Sequence, residues 1–550
     1  MKEGKRFRLL FGLFLVILGV ILLRLVWLQI IQHRFFLERS QEQRTRIINL
    51  AANRGDILDS RGQILATSID TFSIFKQKHG FAWIARRLPL AEAEKVKASA
   101  PDDYIVVKEK KRIYPKNRLA AQLIGFVGSE NQGLSGVELA WDKYLKGKEG
   151  RVVTEGDPEG RELYGALRTI DPGEDGMNVT LTIDENLQYA AERDLTEQVR
   201  LMRAQSGMLI VMDVKSGEIL ALASKPDFDP NEYKKADRRL WHPRFLDPYE
   251  PGSTFKLITA AAGLEERVIS PASRLKALNR LEIGGKVIEN SHQIKWTGPD
   301  MSLAMMLEQS INTGAAQIGI KMGPEKFYNR LKQFGFGRVT DFGLDGESRG
   351  IVRRWDNWYK PDVAMISFGQ SIAVTPLQLL SAVAAFANHG RVVKPFVIKR
   401  IASNDGQFIK VFSREERGRP VSEATAKEML KLMFCVVMNG SGRRAQLADF
   451  KAGGKTGTAQ KAAPGGRGYL KGHFIASFIG VAPLTDPNLI ALVILDDPQT
   501  TIWGESAAGP LFKSVVSYAL RYLNVKPDNA IIPSESNEQK KSSIGYPTDG

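Results

Sequence analysis

Three short strings, Ser253-Thr-Phe-Lys256, Ser310-Ile-Asn312 and Lys455-Thr-Gly-Thr458, stand in this order along a chain of 550 residues. Together they hold the groups that acyl transfer through a serine requires: a hydroxyl nucleophile, amines to take and return its proton, and donors for developing negative charge. A fold that uses all three must bring remote parts of the chain into one cleft.

The first string is chemically complete by itself. Pro251-Gly252 breaks the chain just before Ser253, and Phe255 to Ala262 is predicted to be a buried helix with the serine at its N-terminus. Residues three apart share a helix face, which lays Lys256 over Ser253. A lysine removes a hydroxyl proton only if burial and neighbouring cations bring its pKa down towards neutrality. The helix N-terminus also favours negative charge on the serine oxygen.

Gly454-Lys455-Thr456 matches the end of a phosphate-binding loop, but that motif needs a glycine where Asp449 stands, so the nucleotide reading is rejected. Lys455 to Thr458 instead suits an exposed strand beside a cleft. Gly457 would let a substrate backbone approach, and Lys455, Thr456 and Thr458 could hold a carboxylate. Ser310-Ile-Asn312 follows the apolar run Leu303-Ala-Met-Met-Leu307, where a helix would end and project both polar side chains into the cleft. Each string recurs by chance; the ordered set does not.

That set resembles the signature of the penicillin-recognising enzymes, and the chain resembles the class B penicillin-binding proteins in particular. Arg54-Gly-Asp-Ile-Leu-Asp-Ser-Arg-Gly62, Arg112-Ile-Tyr-Pro115, Gly133-Leu-Ser-Gly-Val-Glu138, Leu181-Thr-Ile-Asp184 with Gln188, Thr375-Pro-Leu-Gln378 and Gly440-Ser-Gly442 carry the likeness outside the site. The resemblance implies a peptidoglycan D,D-transpeptidase in which Ser253 attacks the D-Ala-D-Ala carbonyl and Lys256 takes its proton. Ser310 then relays a proton to the leaving D-alanine, and Asn312 orients the donor peptide. Lys455, Thr456 and Thr458 hold its carboxylate, and the amides of Ser253 and Thr458 form the oxyanion hole. It also implies inhibition by β-lactams and no cofactor. The partner implied is a SEDS-family glycan polymerase, with other division proteins in the membrane. Arg24-Leu-Val-Trp-Leu-Gln-Ile30 and the compact length favour the division-specific (FtsI-like) branch; an elongation- or spore-specific relative is the alternative.

The implied fold is α+β. It comprises a transmembrane helix, an extended α+β pedestal, and a transpeptidase fold whose mixed, antiparallel-rich sheet is packed by helices and carries a helical subdomain. The expected divisions are 1–8 cytoplasmic, 9–31 membrane anchor, 32–185 non-catalytic pedestal of dimerisation type, 186–526 transpeptidase and 527–550 a disordered polar tail. Leu9 to Leu23 is an unbroken apolar run. Arg24 interrupts it and Leu25 to Ile31 extends it to the length of a bilayer span. Lys2, Lys5, Arg6 and Arg8 precede it and predict a cytoplasmic N-terminus, with the catalytic part outside the inner membrane. No small-x-small site follows within reach, against a cleaved signal peptide. Arg24 either snorkels or faces a membrane partner.

In the pedestal, alternation predicts short strands at Gly62–Ala66 and Thr71–Phe75, with helices around Leu88–Ala98 and Val137–Leu145. An amphipathic helix from Leu187 leads to strands Met208–Met212 and Ile219–Leu222, and a second hairpin, Phe478–Ala482 with Ile490–Leu495, turns at Asp486-Pro-Asn488.

A net charge of +16 raises nucleic acid as a partner, but no recognition helix or aromatic-basic repeat accompanies it; anionic membrane and cell-wall polymers fit better. The six histidines show no metal-ligand spacing, and the single cysteine, Cys435, sits in an apolar run that predicts a buried thiol. Two rivals share the fold. A hydrolase, either carboxypeptidase or β-lactamase, is disfavoured by the pedestal and by the lack of a Glu-x-x-Leu-Asn motif. A non-catalytic sensor or scaffold is disfavoured by the complete strings, and a sensor also by the eight residues before the anchor.

Overall fold

A computed structural model describes residues 2–50, 52–76, 82–99, 104–155, 169–463 and 468–528. The expected tail lies outside them except for residues 527 and 528. The chain forms two compact units, one of residues 1–53, 72–110 and 146–176, the other of residues 54–71, 111–145 and 177–550. Segments 54–71 and 111–145 belong to the second unit together with residues 177–550.

In the first unit the helix Lys2–Val26 runs on into a π turn, Trp27–Ile31. The span Gly4–Ile31 is long and apolar enough to cross a membrane, and Arg24 lies within it without breaking the helix. This apolar helix is compatible with a single-pass anchor. Strands Thr45–Leu50, Gly150–Glu155 and Thr169–Asp171 form an antiparallel sheet. The two short strands expected at 62–66 and 71–75 are one long strand, Ile64–Lys76, of which residues 64–71 belong to the second unit, because its β-branched residues continue through the intervening polar ones. The expected helix at 88–98 is Leu90–Ala98.

In the second unit, three strings read separately in the sequence converge. Arg54 Nε donates to Glu138 Oε2 at 2.6 Å, Arg54 Nη1 to Asp142 Oδ1 at 2.6 Å, and Arg112 Nε to Glu138 Oε1 at 2.7 Å. Arg54, Arg112 and Glu138 are buried. Burial opposes the charge on Arg54, but Glu138 and Asp142 outweigh it and raise its pKa. The expected helix 137–145 is two short pieces, Gly136–Ala140 and Asp142–Leu145, and the carboxylates of Glu138 and Asp142, four residues apart, both reach Arg54.

The helix Glu185–Met202 starts where Asp184 accepts from the Asn186 and Leu187 amides. It packs on a five-stranded sheet in the order Ile219–Lys225, Ser206–Asp213, Leu489–Asp496, Tyr469–Ala482, Gly453–Ala462. Both expected hairpins are present, and all four pairings are antiparallel. The mixed sheet is a different one, in which Ile57–Leu58 runs parallel to Asn178–Leu181 and antiparallel to Ile64–Ala66. Helices Lys256–Glu265, Asn312–Met322, Pro376–Ala387 and Glu423–Asn439 supply much of the surrounding core. Cys435 is half-buried rather than fully buried, and burial followed by the charge of Glu308 raises its thiol pKa. On that helix Leu432, three residues before Cys435, and Val436, the residue after it, are buried.

Candidate active site

Ser253 sits on a 3-10 turn, Gly252–Phe255, that feeds directly into the helix Lys256–Glu265. Gly252 takes a positive φ of 56° there, a conformation that glycine adopts without a Cβ clash. Lys256 begins a helix whose residues through Gly263 are all buried, and it is itself fully buried.

Lys256 Nζ donates to the Ser310 carbonyl at 2.5 Å, to Ser310 Oγ at 3.2 Å and to Asn312 Oδ1 at 2.7 Å. Among the described residues it makes no hydrogen bond to Ser253. The shared helix face holds, but the lysine stem is long enough to end on the neighbouring segment. Burial, then the nearby Lys455, hold the Lys256 pKa well below its ordinary value.

Ser310 follows the helix Leu303–Glu308 and has a positive φ of 55°, rare for a residue with a Cβ, while Asn312 opens the next helix. This break between two helices turns both side chains to one side. Asn312 is held from behind, its Nδ2 donating to the Glu289 carbonyl at 2.8 Å.

Lys455 lies on the strand Gly453–Ala462, at the edge of the five-stranded sheet. The edge position agrees with the sequence reading, but residues 453–457 are buried rather than exposed. The helix Glu423–Asn439 and the turn carrying Ser253 cover them. Lys455 Nζ donates to Ser310 Oγ at 3.0 Å and to Thr456 Oγ1 at 3.2 Å. Burial lowers its pKa to about 7.

Gly457 has a different role from the one expected. A Cβ there would lie 2.2 Å from Ser477 Oγ, 3.0 Å from Thr254 Cγ2 and 3.2 Å from the Pro251 carbonyl. Its missing side chain makes room for the nucleophile's own turn and for the neighbouring strand, not for substrate. Thr456 and Thr458, the alternate residues, line the cleft with Ser253, Ser310 and Asn312. The cleft encloses about 880 Å³, ample for a peptide end.

Ser441 went without a role in the sequence reading. Its Oγ lies 2.9 Å from Thr456 Oγ1, with either oxygen able to donate. Gly440 makes this possible: a Cβ there would be 2.6 Å from Glu308 Cα, so only a glycine lets the chain pass so close. The signal available in advance was the Gly440-Ser-Gly442 string. The result is a continuous polar chain: Ser441, Thr456, Lys455, Ser310, Lys256, Asn312. Burial lowers the pKa of both amines in this chain, that of Lys455 to about 7.

Known families match this arrangement. The penicillin-binding protein transpeptidase domain model matches residues 207–517, and the penicillin-binding protein dimerisation domain model matches residues 82–181. The chain belongs to the class B penicillin-binding proteins. Stage V sporulation protein D of Bacillus subtilis is 31% identical over 95% of this chain and 86% of its own. Peptidoglycan D,D-transpeptidase FtsI of Escherichia coli is 30% identical over 97% of this chain and 94% of its own. Penicillin-binding protein 3 of Mycobacterium tuberculosis, in complex with aztreonam, superposes with a TM-score of 0.72 at 27% identity, covering 87% of this chain and 98% of that one. The class B member described here is a penicillin-binding transpeptidase of peptidoglycan cross-linking.

Proposed function

We propose that cross-linking runs through an acyl-enzyme on Ser253. The observation that carries this is the pair of buried lysines sharing Ser310 Oγ. Lys256, its pKa held well below the ordinary lysine value by burial and then by Lys455, takes the Ser253 proton as the oxygen attacks the D-Ala-D-Ala carbonyl. The tetrahedral oxyanion is received by the amides of Ser253 and Thr458; an edge strand leaves alternate amides without a strand partner, and such donors contribute roughly 3 to 4 kcal/mol each. Ser310, which accepts from both lysines, passes its O–H proton to the departing D-alanine nitrogen as the C–N bond breaks and takes in exchange the proton that Lys256 removed from Ser253, which returns Lys256 to its neutral form. Thr456, Thr458 and Lys455 hold the donor's terminal carboxylate, and Asn312 orients its amide. The acceptor amine of a second stem peptide then attacks the ester and loses its proton to Lys256, which passes that proton to the Ser253 oxygen as the C–O bond breaks, restoring both groups.

The biological setting follows from the relatives' names: septal synthesis is the reading favoured by FtsI, and a sporulation role is the alternative carried by stage V sporulation protein D. The N-terminal helix anchors the chain with its basic end in the cytoplasm and meets a SEDS-family polymerase. Incubation with a D-Ala-D-Ala donor and an amine acceptor tests the chemistry. Cross-linked dimer supports it, and free D-alanine alone makes the protein a hydrolase. A fluorescent fusion at the septum supports division; one confined to sporulating cells supports the alternative.

A further inference from the structure

Glu250 stands three residues before Ser253 and plays no part in the chemistry above. Its Oε1 accepts from the Ser371 amide at 3.0 Å and from the Tyr469 hydroxyl at 3.3 Å, while its Oε2 is buried without a hydrogen-bond partner among the described residues. The segment leading to the nucleophile is stitched to the same loop by its backbone. Tyr249 and Val374 exchange both of their hydrogen bonds, and the Gly252 amide donates to the Gly369 carbonyl at 3.0 Å. Gly369 approaches so closely that a Cβ there would lie 2.1 Å from the Gly252 carbonyl oxygen. Ser371 is held at a positive φ of 59°, a strained state for a serine that its bond to Glu250 helps maintain.

The two donors belong to different walls. Ser371 follows Phe368 and Gln370, which line the cleft. Tyr469 opens the strand paired with the one carrying Lys455, opposite Ala462. One oxygen of Glu250 thus joins the turn bearing Ser253 to both walls between which a substrate must lie.

We propose that Glu250 is a positioning residue, which sets the register of the Ser253 turn against the two walls by accepting from Ser371 and Tyr469. The inference rests on Ser253 being the acylated residue. It requires an acceptor at Oε1, which the oxygen of an uncharged amide also supplies. Misplacing a nucleophile by about 1 Å costs on the order of 100-fold in rate.

The test is penicillin acylation of the full-length, detergent-solubilised protein, resolved into the dissociation constant of the initial complex and the rate constant of acylation, with the label located by peptide mass spectrometry. Glu250→Ala should lower the acylation rate constant about 100-fold while the dissociation constant changes less than about threefold. Glu250→Gln, which keeps the acceptor, should recover most of that loss. Tyr469→Phe, which removes one donor, should fall between the wild type and Glu250→Ala. If Glu250→Ala does not fold, Glu250→Gln and Tyr469→Phe still decide. Overturning results are a Glu250→Ala rate equal to wild type, a Glu250→Gln rate more than about 30-fold below wild type, or a Tyr469→Phe rate unchanged. A label away from Ser253 in the wild type would instead defeat the acyl-enzyme reading itself.

Discussion

Lys256 and Lys455 converge on one oxygen: Ser310 Oγ accepts from the first at 3.2 Å and from the second at 3.0 Å. Two buried amines this close cannot both carry charge cheaply, so their protonation is coupled and its steps belong to the pair. Burial lowers both, and the charge of Lys455 lowers Lys256 further.

Acylation should therefore show a bell-shaped pH dependence. The rate rises as the pair loses its first proton, which frees Lys256 to act as base. It falls as Lys455, whose pKa is about 7, loses the charge that holds the donor carboxylate. Lys455→Arg keeps its charge and should move the alkaline limb upward by more than one pH unit, at reduced maximal rate. Stopped-flow acylation from about pH 5 to about pH 10 reads this out; superposed profiles for the two proteins would remove Lys455 from the alkaline limb.

The same burial predicts a stability cost. With the folded pKa of Lys455 lowered from 10.5 to about 7, the unfolded chain binds more protons between those values. Stability rises with pH across that window, and the cost is complete below it. The shift is worth of the order of 5 kcal/mol, part of which the hydrogen bonds to Ser310 and Thr456 offset. Lys455→Met should be inactive yet about 2 kcal/mol more stable than wild type near pH 6, the gap closing towards pH 10. Urea unfolding at the two pH values measures it, and a gap that stays constant with pH contradicts the account.

Gly457→Ala should weaken both fold and acylation, by roughly 2 kcal/mol in stability, because the new methyl meets Ser477 Oγ at 2.2 Å. Ser477→Ala removes that oxygen and should restore part of the loss. A double variant no more stable than Gly457→Ala would place the conflict elsewhere, at Thr254 or Pro251.

Glu138→Ala leaves the buried guanidinium groups of Arg54 and Arg112 without their shared carboxylate. Breaking such a buried pair costs about 3 to 5 kcal/mol. Thermal unfolding of the full-length protein should show it, and a loss below about 1 kcal/mol would mean that water or Asp142 replaces the partner.

The reacting groups were legible in the sequence because each string carries local chemistry: a lysine one turn from a serine, or a glycine between two threonines on a strand. The hairpin 206–225 was legible from the apolar runs Met208–Met212 and Ile219–Leu222. What the sequence concealed depends on remote packing. The strand at Lys455 is buried because a helix from residues 423–439 lies over it, which no local pattern announces. Asn312 is fixed by a backbone carbonyl, Glu289 O, and carbonyls have no sequence signature. Arg54, Arg112 and Glu138 stood in three separate strings, and spacing alone did not reveal that they meet. Gly457 was read as room for substrate when the room is taken by Thr254 and Ser477.

The central claim is that Ser253 alone is acylated, because it lines the cleft on the turn that leads directly into the buried helix begun by Lys256. The most direct measurement labels the full-length protein with penicillin and identifies the modified tryptic peptide by mass spectrometry. One label on Ser253, absent from Ser253→Ala, is the predicted result. A label on another serine, or a Ser253→Ala protein that still labels at the wild-type rate, would contradict it.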